Sequence, residues 1–424
     1  MHHAWQFFFD IKMVLCHHNG MIKTMIRCVL CLFLSICCLC CSRNDGTVIV
    51  IASDLHYLSD RLYDHGNAFL SVVSNADGKY MPFIEEITDT FVQEVISIHP
   101  DLLVLSGDLT FNGEKVSHEM LCKKLSMIEE SGIQVCIIPG NHDIENPYAR
   151  EYEGDEVLFT GSISRNDFFR QYDMFGIDEA LYRDNDSFSY VCQVDGHTWM
   201  LLLDVNASSI DNAVSQDTLV WLEEVLQESR RVGVDVISVT HQNLLQQSLF
   251  KDGFIISNAQ SVIDLFDQYG VRLNLSGHIH IQHQTKKDSL MECTVSALPV
   301  SPLQYGVITI NNHHLSYHSE SLDVSKWAKD SHQEGYDDFS WYARQFFIEC
   351  GKNRKEEGMA DEGLLDDYMQ LNYAYFSGDL REVTMDEEIQ NRWKETDPYT
   401  WVYIQTMLQE AGNDYRYFEI DLNE

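Results

Sequence analysis

The chain has 424 residues and a formal net charge of -37, because 66 acidic residues outnumber 29 lysines and arginines. Binding to nucleic acid depends largely on cations that neutralise phosphates, so this charge disfavours a nucleic-acid polymer as a partner. Hydrophobic residues make up 45% of the chain and only 7 residues are proline, a composition that suits a folded core and excludes an acidic disordered protein.

The first 46 residues have the pattern of an export signal. An apolar stretch at 28–41 follows Lys23 and Arg27, and it is shorter than the roughly 18 apolar residues of a membrane-spanning helix. Because the stretch ends in cysteines, it is similar to a bacterial lipoprotein signal, in which Cys41 would become the lipidated first residue. We therefore expect an exported protein, and both secretion and membrane attachment through the N-terminus remain open.

Five cysteines lie in the part of the chain that follows the signal region. Their number is odd and several lie in apolar runs, so we expect buried thiols and no disulfide framework. They are Cys122, Cys136, Cys192, Cys293 and Cys350.

From residue 47 onward, short apolar runs rich in β-branched residues alternate with helical patterns. Such runs are typical of strands that are buried on both faces of an α/β sheet. The pattern predicts strands at 47–52, 102–105, 135–138, 200–203, 236–239 and 271–275, and helices at 84–98, 119–130, 218–231 and 259–269.

The alternation ends after the last of these strands. The pattern then predicts strands at 293–297, 305–310 and 315–319, followed by helices at 340–350, 364–376 and 401–409. We therefore divide the chain into a signal region at 1–46, an α/β domain at 47–320 and a small, acidic helical C-terminal region at 321–424.

Five of the predicted strands end in a block of polar residues. Loops beyond the carboxyl ends of strands in an open α/β sheet converge on one crevice, so we expect the five blocks to lie together. The blocks are Asp54-Leu55-His56, Gly107-Asp108, Gly140-Asn141-His142-Asp143, Thr240-His241 and Gly277-His278-Ile279-His280.

Together the blocks supply carboxylate oxygens, an amide oxygen and imidazole nitrogens. Such donors suit a pair of Mn, Fe or Zn ions. Each block alone is weak evidence, because Gly-Asp is common in turns and an isolated histidine is usually an ordinary polar residue. Five blocks in one order, each directly after an apolar strand, indicate a metal site. Asp108 stands alone in its block and is the natural candidate to bridge two ions.

The order of these blocks resembles the calcineurin-like metallophosphoesterase family over roughly residues 48–317. The resemblance implies a catalytic α/β domain built as a double β-sheet sandwich flanked by helices (αββα), with a two-metal site. It implies that Asp54, His56, Asp108 and His280 hold the first metal and that Asp108, Asn141, His241 and His278 hold the second. It also implies catalytic roles for His142, which would face the substrate phosphate, and for Asp143, which would orient the imidazole of His142.

Within the family, the chain is similar to the 3',5'-cyclic nucleotide phosphodiesterases. We expect a hydrolase of a small phosphodiester, in which a hydroxide bridging two ions attacks phosphorus and His142 protonates the leaving oxygen. A phosphomonoesterase or a broad-specificity extracytoplasmic phosphodiesterase is the alternative. A non-catalytic scaffold with the same fold is disfavoured, because no ligand position is replaced. Two divalent ions would invert the local charge of the site, so a small phosphoester is compatible with the acidic surface.

Several residues outside the blocks allow further expectations. The segments 57–81 and 144–165 each follow a block and could border the pocket, where Arg150 either contacts phosphate or belongs to an ordinary surface loop. We expect Asp204 to orient a neighbouring group. Histidines without a matching block, His118 among them, are expected to be polar surface residues.

Overall fold

The strands form two mixed sheets and one separate hairpin. The computed structural model describes residues 46–424 except 75, 252, 356–361 and 424, so the predicted export signal lies outside the described residues but for its last position. In chain order the strands are β1 Thr47–Ala52, β2 Leu102–Leu105, β3 Gln134–Ile137, β4 Arg150–Glu153, β5 Glu156–Phe159, β6 Tyr182–Arg183, β7 Tyr190–Gln193, β8 Thr198–Leu202, β9 Asp235–Val239, β10 Leu273–Ser276, β11 His283–Lys287, β12 Leu290–Thr294, β13 Gln304–Asn311, β14 His314–Ser321 and β15 Tyr417–Asp421.

The described helices fall into a group between the strands and a group near the C-terminus. Among the described residues, no helix is both long and apolar enough to cross a membrane. The helices are α1 Asn67–Ser74, α2 Ile84–Ile98, α3 Lys115–Glu130, α4 Arg165–Tyr172, α5 Gln216–Val232, α6 Ala259–Tyr269, α7 Val324–Asp330, α8 Phe339–Lys355, α9 Glu362–Ser377, α10 Glu387–Thr396 and α11 Pro398–Gln409.

The first sheet has the strand order β15-β14-β13-β1-β2-β3, and the second has the order β11-β12-β10-β9-β8-β7-β6. Strands β1, β2 and β3 are parallel, and so are β8, β9 and β10. The predicted strands and helices therefore exist, with ends that differ by a few residues. Strands β1, β2, β3, β9 and β10 carry the five polar blocks at their carboxyl ends, as the sequence predicted.

Strand β8 illustrates why the two sheets pack face to face. Its alternate residues Met200 and Leu202 belong to the large core cluster that also contains the strands of the first sheet. Trp199 and Leu201 point to the other face and join a second cluster with apolar residues of α5 and α6. Because neighbouring side chains of a strand alternate between faces, one strand serves both layers. The layers are helix, sheet, sheet and helix, which confirms the predicted αββα sandwich.

The C-terminal region contains the predicted helices but differs from the prediction at its end. Strand β15 pairs antiparallel with β14 and forms the edge of the first sheet. The helices α8 to α11 also share a buried apolar cluster with Ile279 and Ile281, next to the last polar block. Residues 47–424 form one compact unit, in which the C-terminal helices are present and β15 extends the first sheet.

The five cysteines of residues 47–424 are free thiols, as predicted, and all except Cys122 are buried. Cys136 on β3 and Cys192 on β7 meet between the sheets, with their sulfur atoms 3.2 Å apart. The contact with the neighbouring Cys192 thiol, together with burial, raises the pKa of Cys136 well above its ordinary value, which keeps this thiol protonated.

Candidate metal centre

The polar blocks meet in two groups of potential ligands that share one residue. Asp54, His56, Asp108 and His280 form the first group, and Asp108, His241 and His278 form the second. Within each group one ligand atom of every residue lies within 4.8 Å of the others. The structure therefore brings together all six of the carboxylates and histidines that the sequence assigned to metal binding, and Asp108 belongs to both groups.

Short distances between ring nitrogens and carboxylates define the first group. The Nε2 atoms of His56 and His280 lie 3.1 Å apart. Asp54 Oδ1 is 3.3 Å from His280 Nε2 and 3.9 Å from His56 Nε2. The donors of this group thus face a common point.

Asp108 places its two oxygens toward different neighbours. Its Oδ2 lies 3.7 Å from His56 Nε2, in the first group, and its Oδ1 lies 3.3 Å from His241 Nε2, in the second. Asn141 joins the second group, because its Oδ1 is 3.1 Å from His241 Nε2. This geometry matches the bridging position that the sequence suggested for Asp108.

Three of the histidines have a fixed outer acceptor that determines which ring nitrogen faces the centre. His241 Nδ1 donates to the Ser106 carbonyl at 2.9 Å, which leaves Nε2 free. His280 Nδ1 lies 2.6 Å from Asp77 Oδ2, with the same consequence. His278 uses the opposite nitrogen, since its Nε2 is 3.1 Å from the Gly253 carbonyl. Outer partners of this kind orient metal-binding imidazoles and raise their basicity.

The backbone at the centre adopts a conformation that most residues avoid. Positive φ angles, between 44° and 70°, occur at Asp54, His56, Asp108, His278 and His280. Residues other than glycine rarely adopt the left-handed region, and such strain concentrates at functional sites. Five of the seven proposed ligands are therefore held in strained turns that the sandwich must stabilise.

Two glycines allow the blocks to approach each other. A Cβ atom on Gly140 would lie 2.1 Å from Asp108 Oδ1, and one on Gly277 would lie 2.4 Å from Asp54 Oδ2. Larger residues would push the carboxylates out of place, so the glycines of the Gly-Asn-His-Asp and Gly-His-Ile-His blocks have a packing role.

The electrostatics of the cluster favour ionised carboxylates. Burial alone would raise the pKa of Asp54, but His280 and His241 outweigh it and hold the pKa well below its ordinary value. The pKa of Asp108 is likewise well below its ordinary value, because His241 and His142 outweigh burial. Both carboxylates are thus anions in a buried site, where an unpaired charge is costly.

The donor set fits divalent ions. Asp54 Oδ1 is fully buried and receives no hydrogen bond, although Oδ2 accepts bonds from the Ser53 hydroxyl and the His278 backbone N–H. A buried acceptor without a donor costs free energy, and a cation would satisfy it. Carboxylate, amide and imidazole donors arranged around the shared Asp108 are suited to two ions of the Mn, Fe or Zn type.

His142 lies at the rim of the centre. Its side chain is 32% exposed, and its Nε2 is 3.9 Å from Asp108 Oδ2. Its Nδ1 lies 2.8 Å from the carbonyl of Phe111 and 3.1 Å from Asn112 Oδ1. The Phe111 carbonyl can therefore hold the proton on Nδ1 and turn Nε2 toward the centre.

The expectation that Asp143 orients the His142 imidazole is wrong. Asp143 is fully buried, and its carboxylate accepts hydrogen bonds from the backbone N–H groups of Leu109, Thr110 and Gly140. These bonds tie the loop after β3 to the loop after β2, which carries Asp108. Asp143 thus shapes the site through the backbone, while Phe111 and Asn112 orient the ring.

Two residues near the centre, Asp77 and Lys79, were not predicted from the sequence; they come from the segment between the first two blocks. Besides its contact with His280, Asp77 forms an ion pair with Lys79 at 3.3 Å. Lys79 is only 6% exposed, and its Nζ lies 5.9 Å from the centre of the Phe111 ring. Together with burial, its charge lowers the pKa of His56. The segment 57–81 therefore borders the site, but through residues that no motif marked.

Arg150 does not point at the centre. Its guanidinium donates to the carbonyls of Pro147 and Ala149 and lies 4.1 Å from the centre of the Phe159 ring. It stabilises the β4–β5 hairpin, so of the two expectations for Arg150, contact with phosphate or a place in an ordinary surface loop, the structure supports the second. Asp204 behaves as expected, because its carboxylate accepts backbone N–H groups from Phe188 and Asn206.

His118 is a buried residue, contrary to the prediction that it lies at the surface. Its Nδ1 is 2.7 Å from the Tyr172 hydroxyl, and its Nε2 is 2.9 Å from the Asp143 carbonyl. Burial lowers the pKa of His118 to about 3. The spacing to Leu121 and Leu125 on α3 was the missed signal, since residues three and seven positions apart share a helix face.

Comparison with known proteins gives the same assignment as the geometry. A family model described as calcineurin-like phosphoesterase matches residues 47–282. The chain belongs to the calcineurin-like phosphoesterase family. The family and the cluster around Asp108, its candidate dinuclear centre, together support a metal-dependent phosphoesterase.

The curated relatives share less than 30% sequence identity with this chain. The chain is 28% identical over 141 residues to a probable cyclic nucleotide phosphodiesterase of Fibrobacter succinogenes, covering 33% of this chain and 41% of that protein. It is 26% identical over 194 residues to a 3',5'-cyclic-nucleotide phosphodiesterase of Nostoc, covering 45% and 59% of the two chains. The match thus spans about half the length of these relatives. A solved dimetal phosphatase from Danio rerio is 12% identical, with a TM-score of 0.48, covering 66% of this chain and 97% of that one.

Proposed function

We propose that this protein hydrolyses a small phosphodiester, with a 3',5'-cyclic nucleotide as the first candidate substrate. The observation that carries the proposal is the position of Asp108 between two groups of imidazole and carboxylate donors, with His142 at the rim. The names of the curated relatives support the cyclic nucleotide as the first compound to test.

Asp54, His56, Asp108 and His280 would hold one ion, and Asp108, Asn141, His241 and His278 would hold the other. When bound, two divalent ions supply an activated water and neutralise charge on the phosphoryl oxygens. The outer acceptors Ser106, Asp77 and Gly253 keep the imidazoles in the orientation that the ions need.

His142 would serve as the general acid. The Phe111 carbonyl engages its Nδ1 proton, so a proton on Nε2 is the one available to the leaving oxygen. Protonating that oxygen allows the phosphorus–oxygen bond to break without forming a free alkoxide. His142 is partly exposed, so a leaving group can reach it from solvent.

One feature favours the alternative, a phosphomonoesterase. Lys79 adds a buried positive charge beside His56. A phosphate monoester carries a charge of about −2 and a phosphodiester carries one negative charge, so this lysine favours the monoester. Asp77 offsets part of that charge through its ion pair with Lys79. A broad-specificity diesterase uses the same residues.

The test is an activity panel on the full chain reconstituted with Mn, Fe or Zn. Substrates are 3',5'-cyclic AMP, bis-p-nitrophenyl phosphate and p-nitrophenyl phosphate. The proposal predicts a higher kcat/KM for the two diesters than for the monoester. A preference for the monoester would support the alternative, and no hydrolysis of any substrate with any metal would contradict both.

Export of the protein is a separate proposal that rests on the N-terminal sequence pattern alone. Fractionation of the native cells should find the protein with membranes or outside the cell. Finding it only in the cytosol would contradict the proposal.

A further inference from the structure

A cavity of about 370 Å³ lies where the C-terminal helices α8 and α9 face the segment after α1. Its volume falls in the range of small-molecule pockets, roughly 300–1,000 Å³. The two walls touch closely, because a Cβ atom on Gly78 would lie 2.6 Å from the ring of Phe347. The Cys350 thiol also contacts the Val73 carbonyl at 3.6 Å. The cavity is therefore bounded by two parts of the chain that are packed against each other.

The cavity lies next to the candidate metal centre. Asp77 lines the cavity and also contacts His280 through Oδ2, at 2.6 Å from Nδ1. Phe250 lines another part of the wall, and its ring lies 5.0 Å from Phe254, which is 5.5 Å from the ring of His278. A molecule whose phosphate is held at these histidines thus has the cavity within the length of one or two side chains.

The walls combine flat apolar surfaces with hydrogen-bond donors. Phe347, Tyr368 and Phe376 contribute rings, and the Phe347 and Phe376 rings lie 5.1 Å apart. Asn372 accepts a hydrogen bond from the Tyr403 hydroxyl on Oδ1, which leaves its NH₂ group as a donor. Arg354 is exposed at the cavity and forms no ion pair with any carboxylate of the described chain.

We infer that this cavity is the subsite for the nucleobase of a nucleotide substrate, an inference that rests on the proposed function. Aromatic rings and a guanidinium group stack on bases, and an amide donor satisfies the polar edge of a base. An aliphatic alcohol as leaving group would use neither the rings nor the stacking surface of Arg354. The C-terminal helices therefore contribute substrate selection to a centre whose ligands all come from the sandwich.

The experiment separates binding of the base from binding of the phosphate. Calorimetric titration of the metal-loaded full chain with 5'-AMP and with ribose 5-phosphate compares two ligands that differ by the base. The wild type should bind 5'-AMP about tenfold more tightly or better, as expected for a stacked base. Arg354→Ala and Phe376→Leu should reduce that ratio toward one and leave the Kd of ribose 5-phosphate within twofold. Arg230→Ala, on α5, is the matched control and should keep the ratio.

Each of the following three results would overturn the inference. Equal affinity of the wild type for the two ligands would show that the base has no subsite, while the proposed function would stand. A ratio that survives in both variants would place the base elsewhere. Failure of both ligands to bind the metal-loaded protein would contradict the proposed function, and this inference with it. The circular dichroism spectrum is recorded for each variant, and we expect no change for Arg354→Ala because Arg354 is exposed. An unchanged spectrum shows that a lower ratio of the two affinities does not reflect unfolding.

Discussion

Asp77 Oδ2 lies 2.6 Å from His280 Nδ1, so a residue outside every recognisable motif orients one of the proposed metal ligands. The carboxylate accepts the Nδ1 proton and leaves Nε2 for the ion. Such outer partners typically change metal affinity by about 10- to 100-fold.

Asp77→Ala should therefore weaken binding of one ion about tenfold or more. Equilibrium dialysis against Mn or Zn, measured on the full chain, gives the affinity directly and does not depend on activity. Asp60→Ala, an exposed position in the same segment, is the matched control and should keep wild-type affinity. Equal affinities of Asp77→Ala and the wild type would show that the contact does not support the ligand.

Lys79→Met should distinguish monoester from diester chemistry. Removal of a preorganised positive charge beside the site should reduce kcat/KM for p-nitrophenyl phosphate by about 10²-fold, and reduce it less for bis-p-nitrophenyl phosphate. Methionine keeps the apolar stem that packs near Phe111. Lys123→Met on the exposed face of α3 should have no effect. A loss of the same size for both substrates would mean that Lys79 acts through the structure of the site and not through charge.

His142→Ala should retain both ions and lose about 10²- to 10⁴-fold in kcat, because the proton for the leaving oxygen is removed. Metal content and kcat are measured on the same preparation. His318→Ala, which removes an imidazole paired with Glu320, is the control. Unchanged kcat would refute the acid role, whereas loss of metal would show that His142 supports the ligands instead.

The buried His118 should make stability depend on pH. Its pKa is about 3 in the folded protein, against an ordinary value of 6.5. Between these values the unfolded chain binds a proton that the folded chain does not, so the free energy of unfolding falls as pH falls below about 6.5. The slope from one such group approaches about 1.4 kcal/mol per pH unit.

Urea unfolding of wild type and His118→Gln at pH 7, 6 and 5, at one fixed metal concentration, tests this. The variant should be less stable at pH 7, because glutamine replaces the bonds to Tyr172 and Asp143 imperfectly. The difference between the two proteins should shrink as pH falls, since only the wild type loses the His118 contribution. A constant difference from pH 7 to pH 5 would contradict the low pKa.

The sequence predicted the parts of the structure that periodicity and strand-end motifs encode. Helices α2 and α6 have the predicted bounds, and all six predicted carboxylate and histidine ligands meet around Asp108. These features are local, because each motif directly follows its own strand, and the α/β arrangement brings strand ends together.

Other parts depend on contacts between distant residues. The outer acceptors of His241 and His278 are backbone carbonyls, which every residue possesses and no residue type reveals. Asp77 contacts His280, which lies more than two hundred positions later in the chain. No motif around Asp77 indicates this contact. Strand β15 is short, and only Phe418 and Ile420 alternate with polar residues in it, which is a weak local signal for a strand. Its pairing with β14, a contact between distant parts of the chain, determines the strand.

If Asp108 joins two metal ions in one phosphoesterase centre, the number of ions bound per chain must depend on this residue. Mass spectrometry of the reconstituted, gel-filtered full chain gives that number for the wild type, Asp108→Ala and the control Asp60→Ala. We expect about two divalent ions in the wild type and the control. Asp108→Ala should bind fewer than one ion and show no measurable phosphoesterase activity. Two ions and full activity in Asp108→Ala would show that Asp108 is not the shared ligand of a dinuclear centre.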